Sequence, residues 1–374
     1  MLAVYFQFRF VKIVKTIAID NQKYTYTQFK QSLPGQFLFT PRNFGDDQSY
    51  GRLVSLSTSG AVNFFRKIST KSKNMTYDFK LNSLGQYSYF LIESNFHHWG
   101  RRDLATVGFY QLDKNFSILA SSKYIQPSSN LDPHDVIINK NGNFIFIYYN
   151  KSKSTGLIEA EIKEVNLDKG PVFSWTTVDH FKSEKLSSKR SDSDYLHANS
   201  ICEDTDGGLI ISFNEIGTVI KLGYPTGEIK WEISKKNWTF LDDDQNGFSF
   251  QHAAQVLPNG HLLMYDNAGA SLNDVSRAVE YELDFAKKTA RLVWQQKAEL
   301  PFVRRNSWGS VQRIKNGNTL ISWGSSEVEW QAKYFSGMPI FTEYDQKHNK
   351  VRELISESGQ VTYRAHFSES PEVK

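Results

Sequence analysis

The stretch His252-Ala-Ala-Gln-Val-Leu-Pro-Asn-Gly260-His-Leu-Leu-Met264 is one copy of a unit that recurs along the chain. It consists of a short strand, an Asn-Gly turn and an apolar strand. Asn-Gly supplies the positive φ angles that a tight hairpin needs. Three matching units surround Gly142, Gly208 and Gly317, and a weaker copy leads to Gly85. The repeat therefore predicts a series of β-hairpins.

A second hairpin pattern follows each unit. In the copy that starts at His252, the alternating segment Val279-Glu-Tyr-Glu-Leu-Asp284 leads to Trp294, and Trp175 and Trp231 stand at the matching phase of two other copies. Each unit is therefore expected to contain four strands. Repeated four-stranded units are typical of β-propeller blades.

The two ends of the chain supply what a closed ring still needs. Five units run from about residue 76 to residue 356, and the tail beginning at Gly359 reads as one outer strand. The early hairpin around Gly60 can pair with that tail as a sixth blade, which removes exposed sheet edges. We therefore predict an all-β, six-bladed propeller over residues 43–374, closed by pairing of its N- and C-terminal strands. Residues 1–42 are expected to form an extension, either a strand or the remnant of a longer precursor. Two packed β-sandwiches would explain the strands but not their shared phase.

Composition excludes several classes of protein. Of the 374 residues, 40% are hydrophobic and 22% are charged, and the net charge is +4. Because the basic and acidic residues are interspersed along the chain, nucleic-acid binding is not expected. The sequence contains no run of about 18 apolar residues, so no transmembrane helix is predicted. The single cysteine, Cys202, excludes an internal disulfide and a cysteine-based zinc site.

Three histidines occupy one phase of the repeat. His134 and His252 each stand eight residues before their turn glycine, and His197 stands eleven before Gly208. Equivalent positions of successive blades point toward one axis. The three imidazoles are therefore expected to converge at one mouth of the central channel. They can bind a transition metal there, or they can act on an anion as nucleophile and hydrogen-bond donors.

Several segments in order resemble the bacterial aryl-sulfate sulfotransferases. The resemblance covers about residues 130 to 356. It is carried by Asp194-Tyr-Leu-His-Ala-Asn-Ser-Ile201, Phe248-Ser-Phe-Gln-His-Ala-Ala-Gln-Val-Leu-Pro-Asn-Gly260, Ser276-Arg-Ala-Val-Glu-Tyr-Glu-Leu283 and Gly309-Ser-Val-Gln-Arg-Ile-Lys-Asn-Gly-Asn-Thr-Leu-Ile321.

The resemblance implies a reaction and a set of site residues. It implies sulfuryl transfer from a phenolic sulfate ester to a phenol by a ping-pong mechanism, without phosphoadenosine phosphosulfate, metal or other cofactor. His252 matches the histidine that is transiently sulfated. His197 and Asn199 match the pair that contacts the sulfate and the leaving oxygen, and His134 matches the remaining active-site histidine.

One position departs from the family pattern. Where the family has an arginine that clamps the sulfate, alignment of the strand after Gly208 gives Asn214, which lacks the fixed charge and the fork of donors. Another arginine can substitute, and the candidates are Arg101, Arg102, Arg277, Arg304 and Arg305. The alternative is a non-catalytic propeller that binds an anionic or aromatic ligand, or a protein, at the same mouth.

Location follows from the resemblance alone. The family is typically periplasmic or secreted, whereas residues 1–20 show no clear signal peptide, because Arg9, Lys12 and Lys15 interrupt the apolar stretch.

Overall fold

The computed structural model describes residues 12–43, 50–70, 74–94, 105–121, 130–153, 156–166, 168–178, 180–181, 196–241, 244, 247–268, 275–299, 307–325 and 336–369. Within these ranges the chain forms 27 β-strands and no α-helix. The strands group into six sheets that are arranged as the predicted six-bladed β-propeller.

Five strands precede the first complete blade, and four more form it. The early strands are β1 (Ile13–Ile19), β2 (Gln22–Gln28), β3 (Gly35–Asn43), β4 (Tyr50–Ser57) and β5 (Val62–Ser69). Blade one contains β6 (Asn74–Leu81), β7 (Tyr87–Ser94), β8 (Ala105–Leu112) and β9 (Ile118–Ser121).

Blades two to four follow in chain order. Blade two contains β10 (Leu131–Ile138), β11 (Phe144–Lys151), β12 (Ile158–Asn166) and β13 (Gly170–Thr176). Blade three contains β14 (Ala198–Glu203), β15 (Leu209–Phe213), β16 (Thr218–Leu222) and β17 (Ile229–Ser234). Blade four contains β18 (Thr239–Leu241), β19 (His252–Val256), β20 (Leu262–Asp266), β21 (Arg277–Asp284) and β22 (Thr289–Lys297), with β18 added parallel to β22.

The last two blades combine strands from both ends of the chain. Blade five contains β23 (Ser310–Arg313), β24 (Thr319–Ser322), β25 (Met338–Tyr344) and β26 (Lys350–Ser356), and the hairpin β1–β2 extends it at β26. Blade six is β27 (Gln360–Glu369) followed by β3, β4 and β5. The region expected to precede the propeller thus supplies three strands, β1 to β3, to blades five and six.

The tail strand differs from its predicted position. It was expected at the rim, but β27 lies on the inner side of blade six, where it contacts the inner strands of blades one and five. The physical reason is that β3, which precedes the predicted early hairpin, takes the second place in the sheet. Ring closure therefore joins β27 to β3, and it brings residues of the C-terminal strand to the centre of the molecule.

The inner strands form a closed ring of side-chain contacts. Each successive pair is joined by at least one hydrogen bond or ion pair. These contacts are Lys80 to Asp135, Ile201 to Asp135, Ala254 to Ser200, Gln255 to Val311, Gln312 to Phe367 and Arg364 to Asp78. The centre of the propeller is therefore held by polar contacts.

Apolar packing fills the space between neighbouring blades. Ile147 and Ile162 of blade two, for example, pack in one cluster with Ile211 and Ile220 of blade three, and all four side chains are fully buried. Burying such aliphatic side chains stabilises a fold by about 1.5–3 kcal/mol each. The alternating apolar residues of the repeat thus become the layers between blades.

The predicted turns are present, with one shift. Gly142, Gly260 and Gly317 have φ of 77°, 83° and 87°, a left-handed conformation that favours glycine. In the third copy the left-handed residue is Gly207, with φ of 84°, and not Gly208. His197 therefore stands ten residues before its turn glycine rather than eleven.

Five inner strands change register at the same place. The shifts lie between Tyr77 and Lys80, Leu131 and Val136, Ala198 and Ser200, His252 and Gln255, and Thr362 and Ala365. A bulge reorients side chains and ends regular pairing, and bulges are common next to active sites. The irregular segments carry the candidate site residues to the centre.

Candidate active site

His252 opens the inner strand of blade four and is almost fully buried, with 3% of its surface exposed. All of the hydrogen-bond contacts of its ring with described residues are at Nδ1. That atom lies 3.1 Å from the carbonyl oxygen of Phe250, 3.0 Å from Nδ2 of Asn267 and 3.4 Å from Nδ2 of Asn214. Carbonyl and amide groups thus surround one side of the ring.

These contacts select one tautomer of His252. Nδ2 of Asn267 also lies 3.0 Å from the oxygen of Phe250 and 3.1 Å from the oxygen of Trp308, and these two carbonyls take both amide hydrogens. The remaining good contact of Nδ1 is the Phe250 carbonyl, which can only accept. Nδ1 therefore carries the proton, and the lone pair of the neutral ring is on Nε2.

The surroundings keep the His252 ring neutral. Burial lowers its pKa well below the usual range, and the positive charges of His134, Arg364 and His197 lower that pKa further. The hydrogen bond to Phe250 opposes the shift but does not reverse it. A neutral imidazole whose lone pair is not protonated is the form that acts as a nucleophile.

The other two histidines lie together, as predicted from their phase. The ring centroids of His134 and His197 are 4.8 Å apart, with the planes at 80°. Nδ1 of His134 lies 2.6 Å from a carboxylate oxygen of Asp132, and the hydroxyl of Tyr363 donates to the His134 carbonyl at 2.9 Å. Both rings also lower the pKa of His252 electrostatically, so the three candidate histidines lie near one another.

Asn199 and Asn214 both contact the segment that precedes His252. Nδ2 of Asn199 donates to the carbonyl of Gln251 at 2.8 Å, and Nδ2 of Asn214 lies 3.5 Å from the same oxygen. Both side chains are buried. The side chain at the departure from the family pattern therefore faces the His252 ring itself.

Arg277 is engaged by carboxylates. Its Nε lies 2.9 Å from Asp266 and its Nη2 lies 2.8 Å from Asp244. The other oxygen of Asp266 accepts backbone hydrogen bonds from Ser249 and Ala268, on the two loops that flank His252. Arg277 thus braces these loops, and none of its described hydrogen bonds or ion pairs is with an imidazole.

Two further observations bear on the chemistry. Among the described ranges, no group of three or more His, Cys, Asp and Glu side chains is arranged to hold a metal ion. Burial raises the pKa of the Cys202 thiol to about 12, so this cysteine is not an activated nucleophile.

The sequence as a whole matches a known family. The profile of the arylsulfotransferase (ASST) family matches residues 20–366. The chain belongs to the arylsulfotransferase family. No curated protein sequence matches the chain.

Solved structures align with this chain at low sequence identity. A protein of unknown function from Bacteroides caccae aligns with a TM-score of 0.55 and 12% identity, over 90% of this chain and 100% of that one. A streptogramin B lyase aligns with a TM-score of 0.44 and 13% identity, over 88% and 87% of the two chains. A virginiamycin B lyase from Staphylococcus aureus gives 0.42 and 11%, over 92% and 99%. In the described part of this chain, no helix has the length and apolar character to cross a membrane.

Arg364 is a site residue that sequence reasoning missed. It lies on β27, where Nη1 is 2.9 Å from Asp135 and 3.3 Å from Asp78, and Nη2 donates to the carbonyl of Asn199 at 2.7 Å. Arg101, Arg102, Arg304 and Arg305, the other predicted candidates, lie outside the described residues. No local motif identifies Arg364, because it reaches the centre only through ring closure.

Asn267 was also missed, although the repeat contains its signal. It stands five residues after Leu262, as Asn214 stands five after Leu209, so both directly follow the second strand of their blades. In this protein the two equivalent asparagines both approach Nδ1 of His252. The phase of the repeat that identified the histidines thus identifies these amides as well.

Proposed function

We propose that the protein transfers a sulfuryl group from a phenolic sulfate ester to a phenol through a covalent sulfohistidine at His252. The observation that carries the proposal is the His252 ring, which is buried and neutral and has its Nδ1 proton directed to the Phe250 carbonyl. Family membership supports the same reaction class and a periplasmic or secreted location.

The first half-reaction uses the lone pair of His252 Nε2. It attacks sulfur, the bond between nitrogen and sulfur forms, and the bond between sulfur and the aryl oxygen breaks with both electrons going to the oxygen. A protonated histidine, His134 or His197, supplies a proton to the departing phenolate. General acid catalysis of this kind accelerates a step by roughly 10²–10⁴-fold.

The second half-reaction reverses these events on the acceptor. The histidine that gave up its proton removes one from the acceptor phenol, and the phenolate oxygen attacks sulfur. The bond between sulfur and Nε2 then breaks and restores the neutral ring. The products are a new aryl sulfate and the unchanged enzyme, with no external cofactor in the balance.

Charge around the ring supports binding of an anionic group. His134, Arg364 and His197 each disfavour the protonated form of His252 electrostatically. Such a field attracts a sulfate ester and stabilises the planar, anionic SO₃ group between nucleophile and leaving oxygen. Asn199 and Asn214 are proposed to orient the nucleophile-bearing segment and to face the equatorial oxygens, as neutral donors.

The test is the donor half-reaction alone. Mixing the protein with nitrophenyl sulfate in the absence of an acceptor is expected to release one equivalent of nitrophenol per active site in a burst. Peptide mapping is expected to find one SO₃ group on the peptide that contains His252. Finding the SO₃ group on another peptide, or steady release of nitrophenol with no SO₃ group on the protein, would contradict the covalent mechanism at His252.

Asn214 is the observation that favours a second function, a propeller that binds an anionic or aromatic ligand without turnover. For the binding propeller we expect no release of nitrophenol from either the wild-type protein or Asn214→Arg. Release by Asn214→Arg alone would indicate a transferase that lost activity with the family's arginine, because the substitution restores a fixed charge beside His252. For an active transferase we expect release by the wild type and less release by Asn214→Arg, since Nδ2 of Asn214 lies 3.4 Å from Nδ1 of His252 and a larger, charged side chain there disturbs the hydrogen bond to Phe250. Continuous phenol-release assays of the two proteins distinguish these outcomes.

A further inference from the structure

Asp132 is a buried carboxylate that lies directly against a site histidine. Its side chain has no exposed surface, and Oδ1 lies 2.6 Å from Nδ1 of His134. The same oxygen accepts the backbone N–H of His134 at 2.9 Å. The stretch Asp132-Pro133-His134 thus forms a local brace, in which one oxygen fixes both the backbone and the ring of the histidine.

A carboxylate at this distance favours the doubly protonated form of the ring. The negative charge interacts favourably with the imidazolium, and this interaction is strengthened because Asp132 is shielded from water. The Nδ1 proton is held by Asp132, so proton exchange with a substrate is assigned to Nε2. His134 is therefore built as an acid with one defined donor atom.

Side chains from neighbouring blades also lie near His134. The ring of His197, before β14, lies at 4.8 Å, and the ring of Tyr363, on β27, lies at 5.9 Å. Electrostatic interactions with His134 and with Arg364 both lower the pKa of His252, on β19. Asp132 places a carboxylate oxygen 2.6 Å from Nδ1 of the His134 ring, nearer than the two aromatic ring centroids just described.

We infer that the Asp132–His134 pair is the proton donor to the leaving phenolate, with Asp132 as the residue that keeps His134 protonated and oriented. This inference rests on the proposed sulfuryl transfer and assigns the acid within it. When the bond between sulfur and the aryl oxygen breaks, the electron pair goes to oxygen, and the Nε2 proton of His134 passes to that oxygen. The neutral His134 then takes the proton of the acceptor phenol, which restores the starting state.

Asp132→Asn tests the inference, because the asparagine oxygen can keep both hydrogen bonds while the charge is lost. The readout is kcat/KM for two donors. Phenyl sulfate releases a phenol comparable to tyrosine, with a pKa of about 10, and depends strongly on an acid. Nitrophenyl sulfate releases a more acidic phenol and depends on it weakly. We expect a loss on the order of 10²-fold with phenyl sulfate, and less than about tenfold with nitrophenyl sulfate.

Two further readouts separate this role from a structural one. The basic limb of the pH profile with phenyl sulfate is expected to move to lower pH in Asp132→Asn, and His134→Gln is expected to show the same dependence on the donor. Equal losses with both donors, together with an unchanged pH profile, would overturn the assignment.

A matched control comes from blade four. Nδ1 of His261 lies 2.7 Å from Glu280, so this pair has the same chemistry at a turn far along the strand from His252. Glu280→Gln is expected to leave the ratio between the two donors unchanged. A change of ratio as large as that of Asp132→Asn would show that the effect is not specific to the site, and would overturn the inference.

Nitrogen NMR of histidine-labelled protein tests the pair without turnover. The His134 ring is expected to stay doubly protonated at neutral pH in the wild type and to lose one proton there in Asp132→Asn. A neutral His134 ring in the wild type would overturn the inference, whatever the activity. A doubly protonated ring in a protein that forms no sulfohistidine would support the pair and refute only the proposed reaction.

Discussion

His252→Ala is expected to release no measurable phenol from an aryl sulfate, a loss of about 10⁴-fold or more, as is found when a covalent nucleophile is removed. The ring provides the only atom that the proposed mechanism bonds to sulfur. Without it, the positive groups and amides can still bind the donor, but no sulfuryl intermediate forms. The measurement is phenol release in the presence of an acceptor, with the folded state checked by thermal unfolding.

The control for this variant is His261→Ala. His261 is also paired through Nδ1, but to Glu280 at a blade turn, and its replacement is expected to leave the rate within about twofold of wild type. Residual activity of His252→Ala near the wild-type level would exclude His252 as the nucleophile. His252→Gln fills most of the volume of the ring and is expected to be equally inactive, which separates chemistry from packing.

The pH dependence of the wild type gives the same assignment a second check. Only the neutral ring attacks, and burial together with the charges of His134, Arg364 and His197 holds the pKa of His252 well below its usual 6.5. The burst with nitrophenyl sulfate is therefore expected to persist below pH 6.5, where a free imidazole would already be mostly protonated. A burst amplitude that decreases with pH as a free imidazole becomes protonated would contradict the lowered pKa of His252.

The sequence was sufficient for the blades because their signals are local. An Asn-Gly turn and alternating apolar residues fix a hairpin within about 15 residues, and the repeat then sets the order of blades. The convergence of His134, His197 and His252 followed from the same phase. The ring centroids of His134 and His197 lie 4.8 Å apart, and both rings lower the pKa of His252, so these equivalent positions of neighbouring blades lie close together.

The sequence was not sufficient where distant segments meet. Arg364 donates to the carbonyl of Asn199, which is 165 residues earlier in the chain. Its position depends on how the C-terminal strand pairs with β3. Neither hydrophobic alternation nor a motif states that β27 lies inside rather than at the rim. Asp132 was missed for another reason, because an aspartate two residues before a histidine reads equally well as an ordinary turn residue.

Arg364→Gln is expected to lower the free energy of unfolding by about 3–5 kcal/mol, the cost of removing one partner from a buried ion pair. Asp78 and Asp135 are buried and carry two negative charges, which Lys80 and Arg364 balance. Removal of the guanidinium leaves those carboxylates short of one positive charge at the centre of the ring. Urea unfolding at neutral pH measures the loss.

The matched control for Arg364 is Arg291→Gln. Arg291 pairs with Glu282 on outer strands, with side chains 51% and 47% exposed, and such pairs contribute within about 1 kcal/mol. Arg364→Lys keeps the charge but loses the bond to Asn199, so it is expected to fall between wild type and Arg364→Gln. A loss for Arg364→Gln no larger than that of Arg291→Gln would show that the central network does not hold the ring.

Acid distinguishes a lost charge balance from lost packing in Arg364→Gln. Although burial opposes it, Lys80, Arg364 and His366 hold the pKa of Asp78 well below its usual value. A lowered carboxylate pKa stabilises the folded state above the unfolded pKa, about 3.9, and that contribution is lost as the pH falls. The difference between wild type and Arg364→Gln is therefore expected to shrink as the pH falls below about 4. A difference that stays constant with pH would mean that Arg364 acts through its volume, because packing is insensitive to the protonation of Asp78 and Asp135.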